Sequence, residues 1–199
     1  MASRQESALL TKKKLLEAGS KIIAEKGLSH TTIDEITALA GVGKGTFYTY
    51  FQKKEDIVFA MGYDSFTEIL EEAIALKGTF IEKITYYMVH FSACIEESGV
   101  KLSQEWIRTV VDLPAGSENN QRGKLCFDLD SIGKLIALGI EKKLLAEDTP
   151  AEVLAHTLID LLYGQMFCWS MSDGSYSLKA RTEEFCGTYL TSIFKAYIL

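Results

Sequence analysis

The chain has 199 residues, 47% of them apolar and only two of them proline, and a formal net charge of −6, so it is long enough for a substantial core and is neither disordered nor collagen-like. No apolar run reaches membrane-spanning length without charges and residues 1–14, MASRQESALLTKKK, lack an apolar signal core, which predicts a cytoplasmic protein with no membrane partner. The acidic total hides a division. Residues 1–54 hold nine basic and five acidic side chains, whereas residues 55–199 hold twelve and twenty-two, so a basic head precedes an acidic body and nucleic acid stays open as a partner.

Apolar residues recur at spacings of three and four almost throughout, which predicts an all-α fold. The first helix is expected over residues 4–26, with Leu15, Ala18, Ile22 and Ile23 as its inner stripe, and Gly27 ends it with Leu28 folding back. Lys12, Lys13 and Lys14 near its start fit either a phosphate backbone or a solvated face. Thr32 and Glu35 form a capping box, in which the hydroxyl takes the N–H three residues on and the carboxylate returns to the cap's own N–H. A short helix therefore starts at Ile33, turns Ile33, Ile36 and Ala40 inward, and stops at Gly41, where a tight turn needs positive φ.

Val42 is expected as a buried turn residue. After it, Phe47 and Phe51 lie four apart and face inward, leaving Lys44, Gly45, Thr46, Tyr48 and Thr49 on the outside of a second short helix. A helix entering a major groove about 12 Å wide needs small outward residues for close approach and hydroxyls for base edges and phosphates. This helix has both. Thr46, Tyr48 and Thr49 are the expected base-facing residues. Lys44, Tyr50, Lys54, Thr31 and Thr32 are expected to set the head on phosphates, Lys54 together with the free N–H groups opening the next helix.

That next helix is expected over residues 53–77 as one rod of about 30 Å joining head and body. Gly78 breaks it, Thr79 and Glu82 make a second capping box, and the helix so opened ends at Gly99. A short helix over 100–113, a loop over 114–123 and a helix over 123–144 follow. Thr149, Pro150 and Glu152 give a third capping box with proline at the first helical position, opening AEVLAHTLIDLLYGQMFCWSM, which is apolar on most sides. A last helix is expected over 177–196. The final two long helices have more apolar surface than one body covers, which points to a homodimer through Leu158, Leu161, Leu162, Gln165 and Trp169 on one helix and Phe185, Tyr189 and Ile193 on the other.

The body is dense in aromatic and sulfur-bearing residues. Tyr63, Phe66, Tyr86, Tyr87, His90, Phe91, Cys94, Trp106, Phe127, Tyr163, Met166 and Phe167 fit either an ordinary core or a pocket for a small apolar or aromatic ligand. His90 and Cys94, one turn apart, are the only arrangement resembling a base and nucleophile, and neither an oxyanion turn nor an orienting third group accompanies them, so no enzyme is expected. His156, with Asp160 one turn on, is expected as structural. Cys94, Cys126, Cys168 and Cys186 show no metal-ligand spacing and are expected as small buried hydrophobes, with redox sensing as the alternative that nothing in the sequence selects, so no cofactor or metal is predicted.

The capped helix, the Ala-Gly-Val turn, the Lys-Gly-Thr-Phe-Tyr helix and the following Tyr-Phe and Lys-Glu pairs, within residues 22–57, resemble the tetracycline-repressor (TetR) family of bacterial transcription regulators. Gly43 stands where that family usually has a capping serine, and Thr37 where it usually has alanine. The resemblance implies an all-α protein with a three-helix helix-turn-helix DNA-binding domain, residues 1–53, joined by a long fourth helix to a helical ligand-binding and dimerisation domain, residues 54–199. It also implies a dimer on a palindromic operator in double-stranded DNA, released when a ligand alters the spacing of the heads. The competing reading is a DNA-binding dimer without a small ligand that recruits a protein partner.

Overall fold

The computed structural model describes residues 4–60, 63–111 and 120–199. Its regular elements are helices: α1 (Arg4–Lys26), α2 (Ile33–Ala40), α3 (Lys44–Tyr50), α4 (Glu55–Ala60), α5 (Tyr63–Ala75), α6 (Phe80–Ser98), α7 (Val100–Val111), α8 (Asn120–Glu141), α9 (Ala151–Met171), α10 (Leu178–Phe185) and α11 (Thr191–Phe194). A π-helical turn, Cys186–Leu190, joins the last two, so the expected final helix is three segments. Among the described residues no helix is long and apolar enough to cross a membrane.

Contacts divide the chain into two compact units. One holds α1–α4 and α7; the other holds α5, most of α6 and α8–α11. A division after residue 53 would leave α4 and α7 outside the head, but Ile57 and Val58 of α4 and Leu102 of α7 are buried in its core beside Leu15, Ala18, Ile23, Leu28, Ile36, Phe47 and Phe51. Gly19 shows how closely α4 approaches α1: a Cβ there would lie 2.7 Å from the Ile57 side chain. Continuity of the expected 53–77 rod falls on residues 61 and 62, outside the described residues. The loop expected over 114–123 is likewise outside them up to residue 119, and α8 already begins at Asn120, ahead of the expected 123.

In the body unit Phe66, Ile69, Leu70, Phe80, Ile84, Met88, Phe91, Ile132, Ile136, Leu158, Ile159, Leu162 and Phe194 belong to one buried cluster. Phe66 stacks on Phe91 with centroids 4.6 Å apart, and Phe80 meets Phe194 edge-on at 4.8 Å. The Thr79–Glu82 capping box forms as expected, the Thr79 N–H donating to Glu82 Oε2 at 2.7 Å. The third box does not. Thr149 donates its hydroxyl to the Ala146 carbonyl at 2.6 Å, and Pro150 becomes the cap residue of α9 without a side-chain bond. Lys83, nearly buried, donates to the carbonyls of Ile74 (2.9 Å) and Leu76, so an ammonium closes the end of α5 where backbone donors are lacking.

Candidate functional site

The head builds its recognition surface from local rules. Thr32 caps α2: its Oγ1 accepts the Glu35 N–H at 3.3 Å, and Glu35 Oε2 accepts the Thr32 N–H at 2.9 Å. Lys26 of α1 adds a 2.5 Å ion pair to the same carboxylate. The Lys26 bond first, then those from Thr32, pull the Glu35 pKa from 4.5 down to about 2. Because the folded value lies below the unfolded one, this stabilisation is complete above pH 4.5 and is lost as pH falls through about 2. Glu35→Gln is therefore expected to lower thermal stability at pH 7, with the difference from the wild type shrinking on acidification; a difference that stays constant down to pH 2 would exclude this role.

Helix α2 ends where Gly41 adopts φ 68°, and the Val42 N–H returns to the Thr37 carbonyl at 3.0 Å. Thr37 is buried and bonds the carbonyls of Ile33 and Asp34, so it serves α2 internally. Val42 is half-buried against the head core rather than enclosed. Phe47 is fully buried and lies 5.4 Å from the Phe51 ring, which fixes the rotation of α3. Lys44, Gly45, Tyr48 and Thr49 are consequently exposed, while Thr46 is half-exposed and Tyr50 leans on the core. A Cβ on Gly43 or Gly45 would meet nothing within 4 Å, so the head's own packing does not require glycine at either place. Lys44 pairs with Asp34 at 2.9 Å in the open.

The expected phosphate group is only partly assembled. Thr31 is buried and donates its hydroxyl to the Gly27 carbonyl at 2.8 Å, which withdraws it from the surface. Lys54 reaches back to the carbonyls of Leu28 (2.6 Å) and Thr31 (2.9 Å), satisfying the turn between α1 and α2. The N–H groups ahead of α4 are taken as well: Asp56 accepts those of Gln52 (2.8 Å) and Lys53 (3.0 Å). Thr32 stays exposed, and so do Lys53 and the run Lys12, Lys13 and Lys14. Spacing along the chain carried no sign of the Lys54 contact, which spans 23 to 26 residues.

The aromatic set of the body is divided. Phe66, Tyr87, Phe91 and Met166 are buried, and Tyr86, His90, Cys94, Phe127 and Tyr163 are half-buried, all in the body unit. Trp106 packs on the head core, Phe167 is 47% exposed, and the Tyr63 side chain lies outside what is described. Tyr86 stacks on His90 at 3.8 Å and donates its hydroxyl to Glu72 at 2.9 Å. His90 Nδ1 faces its own helix's Tyr86 carbonyl at 2.8 Å, and burial, the largest influence on the Cys94 thiol, pushes its pKa up, away from the thiolate a nucleophile needs. Cys186 is buried, but Cys126 and Cys168 are exposed, against expectation.

The centre of this unit holds a charged group that spacing did not single out. On α8, Lys124 and Asp128 form a buried ion pair, Tyr163 of α9 donates to Asp128 Oδ2 at 2.7 Å, and the Lys124 ammonium lies 4.1 Å from the Phe66 centroid and 5.2 Å from that of Phe91. Burial lowers the Lys124 pKa and raises that of Asp128, and each charge partly offsets the shift of the other. The Tyr87 hydroxyl is buried, and burial followed by the Asp128 charge raises its pKa, an effect that Ser131 partly offsets.

The expected dimer residues split by face. Leu158, Leu162 and Trp169 are core, Trp169 donating Nε1–H to the Tyr176 carbonyl at 2.8 Å. Gln165, half-buried, accepts from the Thr182 hydroxyl, and Leu161, Phe185 and Ile193 are half-buried too. Only Tyr189, 57% exposed, stands clear. The outward stripe of α9 is instead Val153, Thr157, Asp160, Gly164, Cys168 and Met171, one per turn, with exposed His156 beside it.

A three-helix arrangement that presents a short, flat, hydroxyl-bearing helix, followed by a separate helical body, defines a helix-turn-helix transcription regulator. Residues 15–61 match the family described as bacterial regulatory proteins, tetR family. The chain is 25% identical over 170 residues to the fatty acid metabolism regulator protein of Bacillus subtilis, covering 83% of this chain and 87% of that one. Among solved structures it is similar to a putative TetR-family regulator from Syntrophomonas wolfei (TM-score 0.69, 23% identity, 89% of this chain and 93% of that). It is also similar to the regulator FadR from Bacillus subtilis in complex with stearoyl-CoA (TM-score 0.64, 21% identity, 89% and 98%). Residues 15–61 thus carry the DNA-binding region of the tetR family of bacterial regulatory proteins, and the chain as a whole is similar in sequence and in fold to regulators of that family.

Proposed function

We propose that the protein is a cytoplasmic, ligand-responsive repressor that binds a palindromic operator as a homodimer and leaves it when a small molecule occupies the body. The observation that carries this reading is the outer face of α3, where Thr46, Tyr48 and Thr49 surround a glycine that its own protein does not need. Thr46, Tyr48 and Thr49 read bases, and Lys44, Thr32 and the exposed Lys53 set the head on phosphates. Dimerisation uses the outward stripe of α9 with Tyr189, because the opposite face of α9 is already packed. The half-buried aromatic residues of the body, Tyr86, Phe127 and Tyr163 among them, receive the ligand. The stearoyl-CoA complex of FadR from Bacillus subtilis, whose fold is similar, supports a body that accepts small molecules. Ligand occupancy then favours a head spacing that the half-sites do not match, with a coupling of about 1–3 kcal/mol.

Selection of bound DNA from a random pool tests this directly. Palindromic sequences are expected, with two chains per site by mass. Thr46→Ala is expected to reduce affinity for the selected site by about 1–3 kcal/mol while leaving binding to unrelated DNA unchanged. Equal loss on all sequences would remove the base-reading role, and one chain per site would remove the dimer.

A further inference from the structure

We propose that the Asp128 carboxylate and the rings of Phe66, Phe91 and Phe127 form a receptor for an organic cation, a receptor that the Lys124 ammonium occupies in this structure. The inference rests on the reading of the body as the ligand-receiving unit. Its first ground is geometric. Lys124 Nζ contacts both oxygens of Asp128 and lies 4.1, 5.2 and 5.9 Å from the centroids of Phe66, Phe91 and Phe127. A carboxylate combined with several aromatic faces is the chemistry by which proteins hold alkylammonium groups, since the ring quadrupoles and the anion attract a cation too poorly hydrated to prefer water.

The second ground is which partner can leave. Asp128 is fully enclosed and anchored by Tyr163 at 2.7 Å, whereas Lys124, in the second turn of α8, carries its charge on a flexible stem of four carbons. Burial works against the ammonium, and the Asp128 carboxylate is the strongest of the groups that hold it there. Exchange of this ammonium for a ligand cation conserves charge at Asp128. An anionic ligand would instead bind Lys124 and leave Asp128 unpaired beside a second negative charge, which low-dielectric surroundings penalise heavily. The excess of acidic over basic residues beyond residue 54 also raises the local concentration of cations.

The full-length protein decides the matter with three probes of similar size: benzyltrimethylammonium, its uncharged carbon isostere neopentylbenzene, and the anion 3-phenylpropionate, each titrated calorimetrically. The wild type is expected to prefer the cation. Lys124→Met, which removes the internal competitor, is expected to tighten cation binding about tenfold, and Asp128→Asn to weaken it about tenfold. Because either single change can unfold the body, Lys124→Met combined with Asp128→Asn supplies a neutral pair. This double variant is expected to keep the native circular dichroism spectrum and lose all preference for the cation over its isostere. Equal binding of cation and isostere by the wild type, retained cation preference in the double variant, or binding of the anion that Lys124→Met abolishes would each overturn the proposal. Operator binding, followed in parallel, separates the two readings: release from DNA by an uncharged or anionic molecule would leave the ligand-responsive repressor standing and remove the cation receptor alone.

Discussion

Asp128→Ala is expected to destabilise the body by about 3–5 kcal/mol, because it leaves an ammonium buried without its counter-ion. Lys124 then relies chiefly on the Phe66, Phe91 and Phe127 faces to offset its desolvation, and its folded pKa, already lowered by burial, falls further once Asp128 no longer raises it. A lysine whose folded pKa lies below its unfolded value is less protonated in the native than in the unfolded state, so stability rises with pH across the interval between them. The deficit of Asp128→Ala is therefore expected to shrink as pH increases from 7 to about 10, approaching the unfolded lysine value. Lys124→Met gives the mirror image. The Asp128 pKa is raised by burial, the folded state holds the extra proton, and stability is expected to fall as pH rises through the window above 3.8. Chemical denaturation of both variants at several pH values measures these slopes, and parallel pH profiles for the two would exclude the buried pair as their cause. The double variant, Lys124→Met with Asp128→Asn, should lose much less than either single change, since neither a charge nor an unmatched partner remains.

Local interactions were legible in the sequence and distant ones were not. The bounds of α1, the Thr32–Glu35 and Thr79–Glu82 capping boxes and the Gly41 turn depend on residues three or four apart, and each forms where it was expected. Thr149 had the same pattern as Thr32, yet its hydroxyl found the Ala146 carbonyl first; a turn already closed on itself offers the cap residue an alternative acceptor. Lys54, expected on a phosphate, is drawn instead to unsatisfied carbonyls of another segment, and Lys83 is held in the same way. Helix α9 is apolar on most sides, so its pattern held no information on which face meets the core, and Leu158 and Trp169 were assigned to the wrong one. Lys124 and Asp128 look like an ordinary solvated pair one turn apart. Only the rings that α5 and α6 bring over Lys124 make that pair exceptional.

Phe47→Ala should show how far DNA recognition depends on the head's interior. Its ring is fully buried, 5.4 Å from that of Phe51 and 5.6 Å edge-on from that of Tyr48, in a core shared by α1–α4 and α7. Loss of such a ring costs about 3–5 kcal/mol, from apolar area returned to water and from the cavity left behind. A head of this size has a total stability of only about 5–15 kcal/mol, so much of its reserve would go. Helix α3 is seven residues long, and its starting residue Gly43 makes no side-chain cap bond, so it is held by its buried aromatics rather than by its own helical propensity. Phe47→Ala is accordingly expected to abolish binding to every DNA sequence and to lower the unfolding temperature of the head. Tyr48→Ala, at a side chain 53% exposed on the adjoining face, is expected to weaken operator binding with little change in stability. Paired measurements of melting and operator affinity separate the two. If Phe47→Ala kept the melting temperature of the wild type, the rotation of α3 would have to be fixed by something other than its buried ring, and the assignment of Thr46, Tyr48 and Thr49 to the groove would lose its physical basis.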